Sequence, residues 1–294
     1  MGSPVVSLPP AQLQPLLAAY DASVRTRRLH TLLVLGCMVV AMAAASASAE
    51  VSLSRLIENI DRFPSYIVRL FHLENGQPVW TDVAEWFWGL RRWLRLLGET
   101  LLMAYVGTFL GAVGAFGLAF LAAANVAPSP WLRIAVRRFC ELCRTVPLLV
   151  FALVFVIAFG LGPLGGVLAV LIHTLGALGK QCAEVVENID MKPVEGVAST
   201  GARWHVAMRY GALPQVMSNF VSYTLLRFEI NVRESAVMGF VGAGGIGQDL
   251  IEAIRKFYYS DVSAILVLIL ITVALIDTTT SRIRHHLIGM EAPS

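Results

Sequence analysis

Several runs of apolar residues in this sequence reach the length that a helix needs to cross a lipid bilayer. Hydrophobic residues occupy 56% of the 294 positions, and charged residues occupy only 15%. About 20 consecutive apolar residues span the hydrocarbon core as a helix, whereas a soluble domain usually carries about 25% charged residues. The chain is therefore predicted to be an all-α, polytopic membrane protein.

Six membrane helices are predicted from these runs. Their approximate bounds are Leu29 to Ala49, Leu97 to Ala123, Trp131 to Phe159, Gly165 to Val186, Gln215 to Phe240 and Val262 to Ile276. Residues 1–95 then comprise a polar lead, the first span and an extracytoplasmic connector. Residues 96–287 form the core, and residues 288–294 form a C-terminal tail. Apolar residues recur at helical spacing from Val51 to Phe71, which favours an interfacial helix in the connector; a plain loop is the alternative.

Basic residues near the span ends predict the orientation, because cytoplasmic loops of membrane proteins are rich in Arg and Lys. Four basic groups precede the first span, separate spans two and three, flank the segment 187–214 and follow the sixth span. An even number of spans places all four groups on one side, so both termini are predicted to be cytoplasmic. Arg91, Arg92 and Arg95 oppose this assignment, although acidic residues share their loop.

The sequence offers no catalytic or metal-binding cluster. Cys140 and Cys143 have the spacing of a redox pair or of half a zinc site, but Cys182 is remote and no His lies beside the pair. A structural zinc site needs about four ligands, so ordinary cysteines and no metal are expected. The Gly-x-x-x-x-Gly-Lys-Ser/Thr motif of nucleotide-binding loops is absent from the sequence. A net charge of +3 is too small to suggest a nucleic-acid partner.

A glycine-rich segment follows the fifth predicted span and matches the dinucleotide-binding fingerprint Gly-x-Gly-x-x-Gly. That fingerprint requires a preceding strand, but the residues before it predict a membrane helix. The segment is instead predicted to form a tight outer turn, or gate loop, within residues 241–259, with its backbone exposed to substrate or to a docking protein. A simple turn is the alternative. The glycines are Gly242, Gly244, Gly245 and Gly247.

Polar and charged residues lie inside the fifth predicted span, where they are costly and normally face a bundle interior or a water-filled path. A helical wheel of about 100° per residue places most of them on one broad face. Glu229 and Arg233 lie on the other side, four residues apart, and are expected to pair. Structural ion pairing is the alternative role for Arg227 and Glu234. The candidates for lining a translocation path are Tyr223, Arg227, Asn231, Arg233 and Glu234.

Two polar residues, His173 and Lys180, share a face of the fourth predicted span because they are seven residues apart. Lys180 is expected to extend its amino group to the cytoplasmic interface. His173 is expected to form a hydrogen bond with a neighbouring carbonyl, and a position on the path is its alternative.

A polar segment that is compatible with a helix separates the fourth and fifth predicted spans. Pro193 suits the first turn of a helix, Glu195 complements the positive end of the helix dipole, and small residues permit close approach to a partner. Glu195, Ala198, Gly201 and Pro214 have the spacing of the EAA loop of ABC importer permeases. The resemblance implies that the loop 187–214 docks on an ATPase subunit, and an ordinary amphipathic loop is the alternative.

The segment departs from the general EAA pattern at three positions. Gly196 and Val197 stand where that pattern has alanines, and Gly211 stands where a branched apolar residue is usual.

Four further segments resemble the phosphonate ABC importer permeases, the PhnE family. They are Glu184 to Asp190, Asn231-Val232-Arg233, Phe240 to Gly247, and Ile276-Asp277 with Arg284. The resemblance covers roughly Glu99 to Leu287 and implies the type I (MetI-like) permease fold in a bacterial cytoplasmic membrane. It also implies a homodimer, two ATPase subunits that bind ATP and Mg, and an extracytoplasmic phosphonate-binding protein.

The resemblance implies that the cargo is a phosphonate or a related phosphorus oxyanion. Another cargo, such as methionine or a polar amino acid, is the first alternative. A secondary transporter is a second alternative, and it would predict inverted repeats in the sequence.

Overall fold

The computed structural model describes residues 10–48 and 57–289, and the chain divides into two units, residues 1–66 and 67–294. The first unit contains α1 (Pro10–Ser48), a helix of 39 residues. Its portion Ala19–Ser46 is long and apolar enough to cross a bilayer, which confirms a helix at the first predicted span. Residues 49–56, which include Ala49 and the start of the predicted interfacial helix, lie outside the described residues, as does most of the predicted tail.

Helices also dominate the rest of the described chain. They are α2 (Arg62–Leu70), α3 (Val83–Trp86), α4 (Leu90–Ala122), α5 (Pro130–Thr145), α6 (Leu148–Phe159), α7 (Pro163–Glu187), α8 (Met191–Ser199), α9 (Trp204–Ala207), α10 (Leu213–Met238), α11 (Ile246–Lys256) and α12 (Tyr259–Gly289). A π-helical turn, Met208–Ala212, joins α9 to α10 without interruption.

Four helices of the described chain are long and apolar enough to span a membrane: parts of α1 and α12, and all of α4 and α7. The predicted third span is different, because α5 and α6 meet at 88°. Pro147 lacks an amide hydrogen and disfavours a helical conformation of the residue before it, and Val146 is extended, so the helix ends at Thr145. The expectation of one helix from Trp131 to Phe159 was therefore wrong.

The predicted fifth span corresponds to α10, which has 26 residues. Its length of about 39 Å exceeds the bilayer core, but its polar residues lower its hydropathy, and it is not among the helices that qualify as spans. The described chain has five candidate spans if the bent pair is counted as one, and α10 is a further helix of sufficient length.

Small residues allow the core helices to approach one another closely. A Cβ atom on Gly111 of α4 would lie 2.8 Å from the Leu171 carbonyl oxygen of α7. A Cβ atom on Gly176 of α7 would lie 2.6 Å from the Cys143 Cβ of α5. Helices in membranes associate largely through such close packing, so α7 is held between α4 and α5.

Indole groups of the connector before α4 and a guanidinium group of the first turn of α4 form hydrogen bonds with α12 and α11. Trp86 donates to Ser263 Oγ over 2.9 Å and Trp88 to Asp261 Oδ1 over 2.8 Å. Arg92, one of the residues that oppose the predicted orientation, lies 2.8 Å from the carboxylate of Asp249. This pairing balances its charge.

An ion pair on α11 joins Lys256 to Glu252 at 2.6 Å. The hydrogen bond between them lowers the pKa of Glu252 and raises the pKa of Lys256.

The glycine-rich loop packs against α4 and α10, and the expectation of an exposed backbone was wrong for Gly244, Gly245 and Gly247, which are buried. The Ile246 amide donates to Thr100 Oγ1 of α4 over 2.9 Å. A Cβ atom on Gly247 would overlap the carbonyl oxygen of Ala236. Glycine is required here because the backbone itself fills the space that a side chain would need.

Replacement of Gly247 by alanine tests this packing. We expect Gly247→Ala to lower the free energy of unfolding by about 1–3 kcal/mol, as overpacking usually does. The higher helix propensity of alanine acts in the opposite direction and offsets only part of this loss. Thermal unfolding in detergent measures the change. Gly98→Ala in α4 is the control, because no atom lies within 4 Å of its added Cβ. Equal unfolding temperatures for the two variants would contradict the prediction.

Candidate functional site

Asn231 of α10 connects three helices inside the bundle. Its side chain is fully buried, and its amide nitrogen donates to Thr108 Oγ1 of α4 over 2.7 Å and to Thr174 Oγ1 of α7 over 2.8 Å. Polar groups buried in an apolar region are costly unless they are hydrogen-bonded. The structure therefore places this predicted path residue between helices, with only its amide oxygen unpartnered among the described residues.

Arg227 lies one turn before Asn231 and is half-buried, with no ion pair within 4 Å among the described residues. Glu234 on α10 and His173 on α7 are near enough to act on it electrostatically. Glu234 Oε2 and His173 Nδ1 are buried and have no hydrogen-bond partner in the described chain. The expected hydrogen bond from His173 to a carbonyl is thus not formed at this nitrogen.

Tyr223 lies one turn before Arg227 and is also half-buried. It packs against an apolar cluster that includes Phe220 of α10 and Phe120 of α4. Tyr223, Arg227 and Glu234 thus lie on one side of α10, the side that faces α7 and α4.

Arg233 belongs to a different group, an ion cluster between α10 and α12. It donates to Glu229 Oε1 over 2.6 Å, which confirms the predicted pair, and to Asp277 Oδ2 over 2.9 Å. Arg284 and Thr280 of α12 also donate to Glu229 Oε2, over 3.4 and 3.3 Å. The structure thus separates Arg233 from the other path candidates.

The polar segment 187–214 forms the short helix α8 that its sequence predicted. Asp190 caps the helix by accepting the Lys192 amide over 3.0 Å. Val194 faces the core with 5% of its surface exposed, whereas Glu195 and Ala198 are exposed. The segment therefore has one face anchored and one face open for a partner.

Gly201 and Pro214 lie just after the end of α8 and at the start of α10. Gly201 has φ of 78° shortly after the end of α8, a left-handed conformation that favours glycine. Pro214 is the second residue of α10, directly after the π-helical turn, and it has no amide hydrogen to donate to that turn.

Gly211, one of the departures from the general pattern, is buried against α8. A Cβ atom on Gly211 would lie 2.7 Å from the Val194 Cα. The π-helical turn therefore contacts the backbone of α8 directly, so a branched side chain at position 211 does not fit this packing.

The cysteines show no arrangement of a metal centre. Cys37, Cys140, Cys143 and Cys182 are free thiols. Within residues 10–48 and 57–289 no group of three metal-ligating side chains occurs.

Replacement of Asn231 by valine tests its role between the helices. Loss of two hydrogen bonds, each contributing about 0.5–1.5 kcal/mol, is expected to lower the free energy of unfolding by about 1–3 kcal/mol. Thermal unfolding in detergent provides the measurement. Asn219→Val is the matched control, since Asn219 is exposed on the same helix, and it should leave the midpoint near that of the wild type. An equal loss in both variants would rule out the proposed bridging role.

Two relatives cover most of the chain. The phosphite transport system permease protein PtxC of Stutzerimonas stutzeri is 41% identical over 200 residues, which are 68% of this chain and 73% of that protein. The putative phosphite transport system permease protein HtxC of the same species is 35% identical over 244 residues, which are 83% of this chain and 82% of that protein.

A solved structure shares the fold. A chain of the MetNI methionine ABC transporter in an inward-facing conformation has a TM-score of 0.59 and 23% identity, covering 66% of this chain and 95% of that chain. The predicted MetI-like permease fold is therefore confirmed.

The family described as "Binding-protein-dependent transport system inner membrane component" matches residues 115–288. The match contains the bent pair α5 and α6, the helix α8 and all of α10 and α11. With the two relatives and the shared fold, it establishes that this chain is a multi-pass membrane protein that belongs to the family of binding-protein-dependent transport system inner membrane components.

Proposed function

We propose that this chain is the membrane-spanning permease subunit of an ATP-driven importer whose cargo is phosphite, a phosphonate or a related phosphorus oxyanion. The similarity to two permeases named for phosphite transport, at 41% and 35% identity, is the observation that carries this proposal. The similarity to the methionine transporter supports the fold alone, because its identity is only 23%.

The exposed face of α8 is the proposed docking surface for the ATPase subunits. It includes Glu195 and Ala198, and the segment that continues to Pro214 leads directly into α10. ATP and Mg bind to those partner subunits, and this chain itself holds no cofactor. This docking requires α8 to lie in the cytoplasm, which agrees with cytoplasmic termini.

Two copies of the chain form the complete permease in this proposal, as a homodimer. The path for the anion lies along the sides of α10 that carry Tyr223, Arg227 and Glu234, with His173 of α7 beside them. A guanidinium group suits phosphoryl oxygens because its planar fork donates two parallel hydrogen bonds. Glu234 weakens the attraction, so the anion is released instead of trapped.

The outer ends of the helices complete the cycle. An extracytoplasmic binding protein delivers the anion, and the gate loop with Gly242, Gly244, Gly245 and Gly247 holds the outer end of α10 against α4. The loop contacts Thr100 of α4 and Ala236 of α10. A movement of α10 away from α4 therefore breaks these contacts. The permease thereby alternates between outward-open and inward-open states.

ATP-driven uptake of phosphite and of methylphosphonate into proteoliposomes, with the purified ATPase and binding protein, tests the function. If neither compound is taken up but methionine is taken up under the same conditions, the proposed cargo is wrong and the alternative cargo is correct.

Charge reversal at Glu195 tests the docking surface. We expect Glu195→Lys to reduce ATP-driven uptake at least about tenfold, because like charges at an interface cost several kcal/mol. Co-purification of the ATPase and uptake are measured together. Glu184→Lys is the control, since Glu184 is also exposed but lies on α7 outside the docking helix. Fully coupled transport in Glu195→Lys would refute docking at this residue.

Removal of the guanidinium group tests the path. Arg227→Ala is expected to reduce phosphite uptake about tenfold, since a hydrogen bond to a charged group contributes about 1.5–3 kcal/mol. Initial uptake rates measure the effect. Arg282→Ala, at an exposed position of α12, should leave uptake unchanged. If Arg227→Ala retains wild-type uptake, the proposed path is wrong.

A further inference from the structure

The turn between α4 and α5, residues 122–126, is hydrogen-bonded to the chain on both sides of α8. On the near side, Asn125 Nδ2 donates to the Val186 carbonyl of α7 over 2.8 Å. On the far side, Trp204 Nε1 of α9 donates to the Val126 carbonyl over 2.7 Å. This turn, which we call the α4–α5 turn, therefore lies against the same segment that presents α8.

Glu187, the last residue of α7, is the centre of a second set of bonds to this turn. Its Oε1 accepts the Ala124 amide over 2.7 Å and is also bonded by Arg137 of α5. Arg137 Nε donates to the Ala122 carbonyl at the end of α4 over 2.8 Å. One acid–base pair thus joins the ends of α4 and α7 to the middle of α5.

Apolar packing joins the α4–α5 turn to α8 as well. Val126 of the turn, Val186 of α7 and Val194 of α8 are buried in one apolar cluster, with Ala207 of α9. Interiors that are packed in this way move as units and deform little. A displacement of α8 must therefore be accompanied by the turn or must break this cluster.

The exposure of the acid–base pair indicates what it contributes. The side chains of Arg137 and Glu187 keep 42% and 28% of their surfaces exposed, and such pairs add little to folding stability because water screens them. Each of their hydrogen bonds ends on a backbone group at that turn or on Glu187 itself. These bonds therefore fix the directions of α4 and α5 on either side of the turn.

We propose that Glu187 is a positioning residue that, through Arg137 and the Ala124 amide, makes α4 and α5 part of the unit that follows α8 when the ATPase moves it. This inference rests on the proposed function. It adds α4 and α5 to the helices that carry the movement, beyond α7 and α10, which are joined to α8 by the chain itself. Without the clamp, α4 and α5 follow α8 less closely, and a larger share of the ATP hydrolysis is not coupled to transport.

The test is the number of ATP molecules hydrolysed per phosphite imported by the full transporter in proteoliposomes. Glu187→Ala is expected to raise this ratio at least about fivefold, the lower end of typical coupling between two sites, while the ATPase still co-purifies. Glu184→Ala is the matched control, because Glu184 lies one turn earlier on α7 and, within the described part of the chain, forms an ion pair only with Lys180 of its own helix, at 3.8 Å. Its ratio should equal that of the wild type.

Two further variants separate positioning from simple stabilisation. Arg137→Ala should raise the ratio as Glu187→Ala does, and the double variant should be no worse than the more severe single one, since both act through one clamp. Glu187→Gln retains an acceptor for the Ala124 amide and should restore part of the coupling. A purely structural role would lower uptake and hydrolysis together and leave the ratio unchanged.

An unchanged ratio in Glu187→Ala would overturn the inference. If Glu187→Ala fails to assemble, Arg137→Ala decides in its place, and a wild-type ratio in that variant would overturn the inference equally. Failure of the proposed cargo would show separately, as a wild-type transporter that imports another substrate, and the ratio would then be measured with that substrate.

Discussion

Polar groups inside a bilayer have no water to bond, so they have to find their partners within the protein. This constraint decides how the helices surround α10. The amide nitrogen of Asn231 donates to threonines of α4 and α7, and Arg233 is paired with Glu229 and with Asp277 of α12. The arrangement of three neighbours around α10 is therefore fixed by a few polar contacts, and close packing of small residues completes it.

The local features of this fold could be predicted because they depend on neighbouring residues. The apolar runs indicated the positions of the helices, and Pro193 with Glu195 indicated α8. The spacing of Glu229 and Arg233 indicated their pair, which lies within one helix. Residues of the phosphonate-permease resemblance that are distant in the sequence, Asp277 and Arg284, meet Arg233 and Glu229 in the ion cluster.

The remaining features depend on contacts between distant segments. Arg137 and Glu187 are 50 residues apart, and Asn231 and Thr108 are 123 residues apart, so spacing gave no indication of either contact. The glycines of the gate loop show a related problem. Their sequence indicates a turn, but the contacts with Thr100 and Pro163, which are distant in the sequence, and with Ala236 bury it. Pro147 was a local signal for the bend between α5 and α6, but the apolar run that follows it favoured the prediction of one continuous span.

One continuous helix, α10, begins at the end of the segment 187–214 and ends at the glycine-rich loop, with the charged residues between them. A tilt of about 5° in a helix about 39 Å long displaces its far end by about 3 Å, which is comparable to the length of a hydrogen bond. A small rotation can therefore make or break contacts at the other end of the helix. Because both ends belong to one continuous helix, a movement at one end reaches the other end without a sequential relay of side chains.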